Sequence, residues 1–212
     1  MATERGLDRL IFFTDAVAAI AITLLILPLV DLVPEASDRG TSSTEFLQEN
    51  VYQILGFLIS FVVIARLWRA HHAIFEHVRA YSKRLMTLSL LWAFTVVVLP
   101  LPTALVSELD DDRSSVALYI GTMMVSSFTL TAMTLAVRGD PTVESVTDPI
   151  QHQSLVGALT TSALFACALL LGVILPSGGL FALLLLVLTQ PIQSVLARQH
   201  VRRENRLGRK EN

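Results

Sequence analysis

Long apolar runs, broken by short polar stretches, organise the chain. Six of them approach the roughly 20 residues a helix needs to cross a hydrocarbon core about 30 Å thick. They are residues 10–30, 51–70, 85–106, 116–137, 155–175 and 179–197. The stretches between them carry helix-stopping chemistry: DLVPEASDRGTSSTEFLQEN, SELDDDRSS, RGDPTVESVTDPIQHQ and the tight PSGG. No run shows the ten-residue alternation of an outer-membrane strand, and backbone amides in lipid need partners within their own segment, so the runs predict helices. The expected fold class is all-α, a polytopic membrane protein with six transmembrane helices.

The first run, RLIFFTDAVAAIAITLLIL at residues 9–27, has an internal pattern of its own. At 100° per residue, Phe13 and Leu27 fall about 20° from Ile20, Leu24 about 40°, Ala16 about 40° on the other side and Thr23 about 60°. These six residues share one face. Asp15 lies about 140° from Ile20, and a carboxylate inside a span costs several kcal/mol unless something answers it. The second run returns to the same membrane level and ends in IARLWRAHHAIF, with Arg66, Trp68, His71 and His72 near that end. An indole or imidazole N–H satisfies a carboxylate without adding a second full charge. Asp15 and Thr14 are therefore expected to fasten the first helix to the second. The competing reading of Asp15 is a proton relay or a pore-lining charge.

Composition agrees with a membrane protein: 53% of the 212 residues are hydrophobic and 16% charged. MATERGLDRL has mixed charge and no cleavage pattern follows it, so the first run is expected to be a permanent span. With the amino terminus in the cytoplasm, all Lys and Arg except Arg39 and Arg113 fall on the inner side, including Arg5, Arg9, Arg66, Arg69, Arg79, Lys83, Arg84 and Arg138. That bias predicts cytoplasmic N and C termini and an even number of spans. Residues 1–197 read as a single six-helix transmembrane domain and residues 198–212 as a basic cytoplasmic tail, drawn to anionic headgroups. The tail lacks aromatic platforms and a folded basic module, which argues against nucleic acid. The acidic run at residues 110–113 reads as a solvated outer loop or, in several copies around an axis, a weak cation-attracting rim.

Chemistry is sparse. Cys167 is the single cysteine and lies in an apolar run, where a small core or lipid-facing residue is expected; it excludes a disulfide within the chain and a cysteine metal site. HHAIFEH places His71 and His72 about 100° apart on a helix, whereas a two-histidine metal site wants a spacing of three or four. His152 and His200 are isolated, and no nucleophile elbow or phosphate loop occurs. No enzyme, metal or cofactor is expected.

The first run resembles the signature of the endosomal and lysosomal transmembrane potassium channels and their bacterial homologues. Their first helix reads Arg, three residues, Phe-Ser-Asp, then Ala-Val-x-Ala-Ile-x-x-Thr-Leu-Leu. Arg9, Phe13, Asp15, Ala16, Val17, Ala19, Ile20, Thr23, Leu24 and Leu25 occupy the matching positions. Thr14 stands where the family has serine, keeping the hydroxyl and adding a methyl. Trp68, His71, His72 and Phe75, and LPLPTAL at residues 99–105, are similar to the same family's pattern. The likeness covers the first three helices by motif and the last three by length and topology.

That resemblance implies one six-helix repeat per subunit, with four subunits forming a homotetramer whose first helices line a central pore. By position it makes Ile20 and Leu27 hydrophobic constrictions, Leu24 a further narrowing and Thr23 a hydroxyl ring that favours potassium. Arg9, Phe13, Thr14 and Asp15, with Trp68, His71 and His72, become the motif that positions the pore helix. Rings of Ile or Leu can gate by dewetting, and no carbonyl-filter loop of threonine-valine-glycine type is present. Preference for potassium ions then rests on side-chain radius, hydroxyl dipoles and incomplete dehydration. The expected function is a passive, potassium-preferring cation channel in the bilayer of a bacterial cell membrane. The alternative is a proton- or cation-coupled secondary transporter with Asp15 and His71 or His72 as a relay, although no paired broken helices or inverted repeat is evident.

Overall fold

The computed structural model describes residues 4–80, 82–108 and 113–174, and the architecture of these residues is all-α. The apolar run at 179–197, the tail at 198–212 and residues 110–112 of the acidic loop lie outside the described residues. Among those described, Arg5–Asp38, Val51–Glu76, Lys83–Glu108 and Arg113–Arg138 are each long and apolar enough to cross a membrane. The fifth run forms a helix whose described apolar part, Ser154–Leu170, is shorter.

Helix α1 (Glu4–Leu24) gives way at Leu25 and Ile26 to α2 (Leu27–Asp31) and α3 (Val33–Asp38). Pro28 causes the break, because it has no N–H for the Leu24 carbonyl and its ring crowds that oxygen. At the start of α2 the missing donor costs nothing. The polar stretch after the first run, read from sequence as a helix-stopping linker, itself contains short helices with well-formed ends. Gly40 closes α3 at φ +70°, with Gly40 N donating to Ser37 O at 3.0 Å and Thr41 N to Ala36 O at 3.0 Å. That pairing satisfies two carbonyls the helix end would otherwise leave open. A reciprocal capping box then starts α4 (Ser43–Glu49): Glu45 N donates to Ser42 Oγ and Ser42 N to Glu45 Oε2.

Helix α5 (Val51–Glu76) continues past residue 70, the expected end of the second span, since WRAHHAIFE holds neither proline nor glycine. The third span is built of α6 (Lys83–Val98) and α7 (Pro100–Glu108), with the join at Leu99 where Pro100 and Pro102 withhold donors. Ser82 caps α6, its Oγ accepting from Leu85 N at 3.1 Å. Then come α8 (Arg113–Arg138) and α9 (His152–Ile174).

The core lies among α1, α5, α6 and α8, with Ile64, Leu85, Trp92, Ile120, Met123, Met133 and Val137 almost fully enclosed. Helix α8 packs on α6 and α9, and α1 on α6 and α5. Hydroxyls join the helices as well, as suits segments with no water to compete. Thr103 Oγ1 donates to Ser60 Oγ at 2.9 Å and Ser60 pairs with Tyr119 Oη at 3.0 Å, tying α7, α5 and α8. Ser162 meets Ser127 at 3.0 Å and Thr131 at 2.9 Å, tying α9 to α8.

At one end of the bundle the α5–α6 and α8–α9 loops are paired by backbone bonds. Arg79 N donates to Val143 O at 2.9 Å and Ser145 N to His77 O at 2.8 Å, around an isolated bridge between Val78 and Glu144. The Arg79 guanidinium adds a 2.6 Å bond to Pro141 O, and His77 Nδ1 meets Asp148 O at 2.9 Å. In the same loop Thr142 donates through both Oγ1, at 2.6 Å, and its backbone N, at 3.0 Å, which holds the Asp140 carboxyl below its ordinary range. Helices α5 and α8 therefore end on the same side of the bundle.

Candidate pore helix and its anchor

Helix α1 presents two apolar faces of different make. One, with Leu7, Leu10, Thr14, Ala18, Ala21 and Leu25, is buried against the neighbouring helices; Ala18 and Ala21 are each only 1% exposed. The other carries the stripe predicted from periodicity. Ile20 is 60% exposed, Phe13 50%, Leu27 46% and Leu24 40%, with Ala16 and Thr23 exposed beside them. Alanines let the backbone approach closely on the packed side. At the level of these alanines the bulky Ile20, Leu24 and Leu27 point away from the protomer, while Leu7, Leu10 and Leu25 lie on the packed side above and below them.

Leu27 keeps its place on the stripe although it lies beyond the break made by Pro28, because the Leu25–Ile26 turn stays close to helical: Ile26 remains in the right-handed region and accepts from Val30 N at 3.1 Å. Thr23 Oγ1 donates to Ile20 O at 2.8 Å. With its proton held by its own helix, the hydroxyl turns oxygen lone pairs outward, the polarity a cation needs.

The structure brings Asp15 and Trp68 together: Trp68 Nε1 donates to Asp15 Oδ1 at 2.8 Å, joining α1 to α5. Thr14 does something different. It is fully buried, and its hydroxyl is shared between Leu10 O at 3.0 Å and Ile11 O at 2.9 Å of its own helix, so it does not reach α5. A buried threonine three or four residues on from a carbonyl finds that acceptor locally. Arg9 is exposed at the start of the stripe side.

The histidines separate as their 100° offset requires. His71 points inward, 1% exposed, and stacks on Trp92 of α6 with ring centroids 4.0 Å apart and planes 15° from parallel. His72 is exposed; it stacks on Trp68 at 5.6 Å, and its Nε2 lies 3.9 Å from Glu76 Oε1. Asp15, Trp68, His72 and Glu76 thus form a continuous chain of contacts along one side of α5. Trp92 was not singled out from sequence. A lone indole in LLWAF was the available sign, but only packing shows that it closes over His71. Trp92 Nε1 and His71 Nε2 are buried without a hydrogen-bond partner, so the pair is held by stacking and shape rather than by polar bonds. Arg66, which sequence reasoning counted among possible answers to Asp15, lies two residues before Trp68 and so about 200° around α5; it lines a cavity facing α8 and α9 instead. No group of three His, Cys, Asp or Glu side chains suited to a metal ion occurs among the described residues.

Residues 9–100, which hold the stripe, the anchor and the His71–Trp92 stack, match the sequence profile of the family described as endosomal/lysosomal potassium channel TMEM175. A protein of Streptomyces collinus named as a potassium channel is 39% identical over 104 residues, 49% of this chain and 49% of that protein. The Gallus gallus endosomal/lysosomal proton channel TMEM175 is 36% identical over 106 residues, 48% of this chain and 21% of that protein. This chain therefore spans about half the length of the bacterial relative it matches. Among solved structures, the crystal structure of a lysosomal potassium-selective channel TMEM175 homolog from Chamaesiphon minutus is similar in fold, with TM-score 0.71 and 22% identity over 90% of this chain and 99% of that one.

Proposed function

We propose that this chain, which matches the TMEM175 family profile over residues 9–100, is a passive, potassium-preferring cation channel. Six spans with both termini in the cytoplasm of a bacterial cell assemble as a homotetramer, and four copies of α1 line the central pore. Ile20, Leu24 and Leu27 form hydrophobic constrictions, and Thr23 offers the ion an oxygen. Arg9, Phe13, Thr14 and Asp15, with Trp68, His71 and His72, set the rotation of α1, so that the stripe rather than the carboxylate meets the axis.

The observation that carries this reading is the packing around the middle of α1, with Ala18 and Ala21 inside the protomer and Ile20, Leu24 and Leu27 outside it. A ring of such side chains around a narrow axis resists wetting and gates ions without a carbonyl filter. Asp15 is already engaged by the Trp68 indole, which favours an anchor over a relay and leaves the coupled-transporter reading without a free carboxylate at this site.

Purified protein in a planar bilayer under opposed potassium and sodium gradients tests the proposal. Passive currents whose reversal follows the potassium gradient are expected. Strictly coupled turnover with no open-pore current would overturn it. Because the animal relatives are named proton channels, the same membrane is also examined under a pH gradient, where a reversal that follows protons would replace potassium as the permeant ion.

A further inference from the structure

Where α5, α7 and α8 meet, four hydroxyls surround a void of about 20 Å³. Ser60 comes from α5, Thr103 and Ser107 from α7 and Tyr119 from α8. Gly56 of α5 lies in the same lining, and its lack of a side chain makes room for Ser107: a Cβ there would stand 2.5 Å from Ser107 Oγ.

Each hydroxyl has one proton to donate, and the four can be followed in turn. Ser107 Oγ gives its proton to Thr103 O at 2.9 Å. Thr103 Oγ1 shares its proton between Leu99 O at 2.8 Å and Ser60 Oγ at 2.9 Å. The 3.0 Å bond between Ser60 Oγ and Tyr119 Oη uses the proton of one of those residues and not of the other. One O–H therefore remains, on Ser60 or on Tyr119, that no hydrogen bond among the described residues takes up. Both residues are buried, Ser60 at 2% and Tyr119 at 3% exposure, where an unmet donor carries its full desolvation penalty. Ser107 Oγ has the opposite need: its proton is committed, and its lone pairs are left to accept. A species that suits this void must accept one hydrogen bond and donate another. A bare cation is repelled by the remaining O–H, and an anion finds only one donor. A single water does both, and needs roughly 10–15 Å³ with two to four polar partners.

We propose that one structural water is held between α5, α7 and α8, accepting from the hydroxyl of Ser60 or Tyr119 and donating to Ser107 Oγ. It completes the Ser60–Thr103–Tyr119 junction and fastens the third span, just past its break at Leu99, to the second and fourth. The site needs no second copy and its test reads no current, so it stands or falls independently of the channel reading.

The test is radiolytic footprinting of the full-length protein in detergent, read by mass spectrometry, because hydroxyl radicals formed from a bound water oxidise the side chains it touches. Tyr119 is expected to be oxidised about tenfold more than Trp92, an aromatic side chain buried to the same degree outside the void's lining. After rapid mixing into water enriched in oxygen-18, the Tyr119 product is expected to keep the ordinary isotope, while the product at Tyr52, 70% exposed, takes up the heavy one at once. Ser107→Leu fills the void and deletes the acceptor, and is expected to lower Tyr119 oxidation about tenfold with Tyr52 unchanged. Ser107→Ala, the milder substitution, keeps the room and deletes only the acceptor, and is expected to lower it a few-fold. Oxidation of Tyr119 no greater than that of Trp92 in the unmodified protein overturns the proposal. So does heavy oxygen reaching Tyr119 as fast as Tyr52, which describes a cleft open to solvent, or oxidation that ignores both Ser107 substitutions.

Discussion

The two faces of α1 are both apolar, and they are built by opposite rules. On the packed face, Ala18 and Ala21 are small and almost wholly covered, and the helix axis comes close to its neighbours. On the other face, Ile20 and Leu27 are large and left uncovered by the rest of the protomer. In a water-soluble protein the bulky side chains would be inside, because burying them gains the most hydrophobic free energy. In lipid that gradient is absent, and close approach of backbones is what holds helices together. Around the middle of α1, Ala18 and Ala21 thus mark the contact made within the protomer, and Ile20, Leu24 and Leu27 mark what is offered to further copies or to lipid.

The exposed face has the largest predicted effect. In the proposed tetramer, Ile20→Asn places an amide in a ring of four isoleucines, and current in a planar bilayer is expected to rise about tenfold or more. Unchanged current in a well-expressed variant would remove Ile20 from the constriction. On the packed face the penalty falls on folding instead. Ala21→Leu inserts bulk into a closed contact and is expected to destabilise by about 1–3 kcal/mol, read from thermal unfolding of the solubilised protein. Leu24→Ala, made on the open side, is expected to leave that unfolding nearly where it was, and equal losses from the two substitutions would erase the distinction between the faces.

In the proposed reading the Asp15–Trp68 bond sets which face is which. Trp68→Phe keeps the ring and removes the N–H, leaving Asp15 without that donor at a cost of about 1–2 kcal/mol. Adding Asp15→Asn is expected to return part of this loss, since a neutral amide is cheaper to leave unmet than a carboxylate; additive losses in the double variant would show that the two side chains do not cooperate. Thr23→Val is the gentlest change. It keeps the shape and deletes the oxygen, so the potassium-to-sodium permeability ratio is expected to fall a few-fold while unitary current stays similar. A reversal potential that does not move would take Thr23 out of ion contact.

Much of this was readable along the chain because lipid imposes strong rules on sequence. A run must be long and apolar to cross, and 3.6-residue periodicity places Asp15 away from Ile20 whatever the surroundings. The choice of Trp68 over Arg66 as partner for Asp15 was open in sequence, where both sat near the same level. Helix rotation closes it, turning Trp68 toward α1 and Arg66 toward α8 and α9. Thr14 shows the opposite failure, since a hydroxyl expected to bridge two helices found acceptors one turn back on its own.

Local pattern carries information about a residue's neighbours three and four places away, and about whether it sits in lipid or water. It therefore placed helices on the first five apolar runs and set Asp15 apart from the stripe of α1. Contacts between residues far apart in the chain depend on how helices rotate and approach, and no periodicity records that. The stacking of His71 on Trp92, the Ser60–Thr103–Tyr119 junction and the cavity beside Arg66 came into view only once α5 through α9 were packed, because each is made from side chains of separate helices that meet nowhere else.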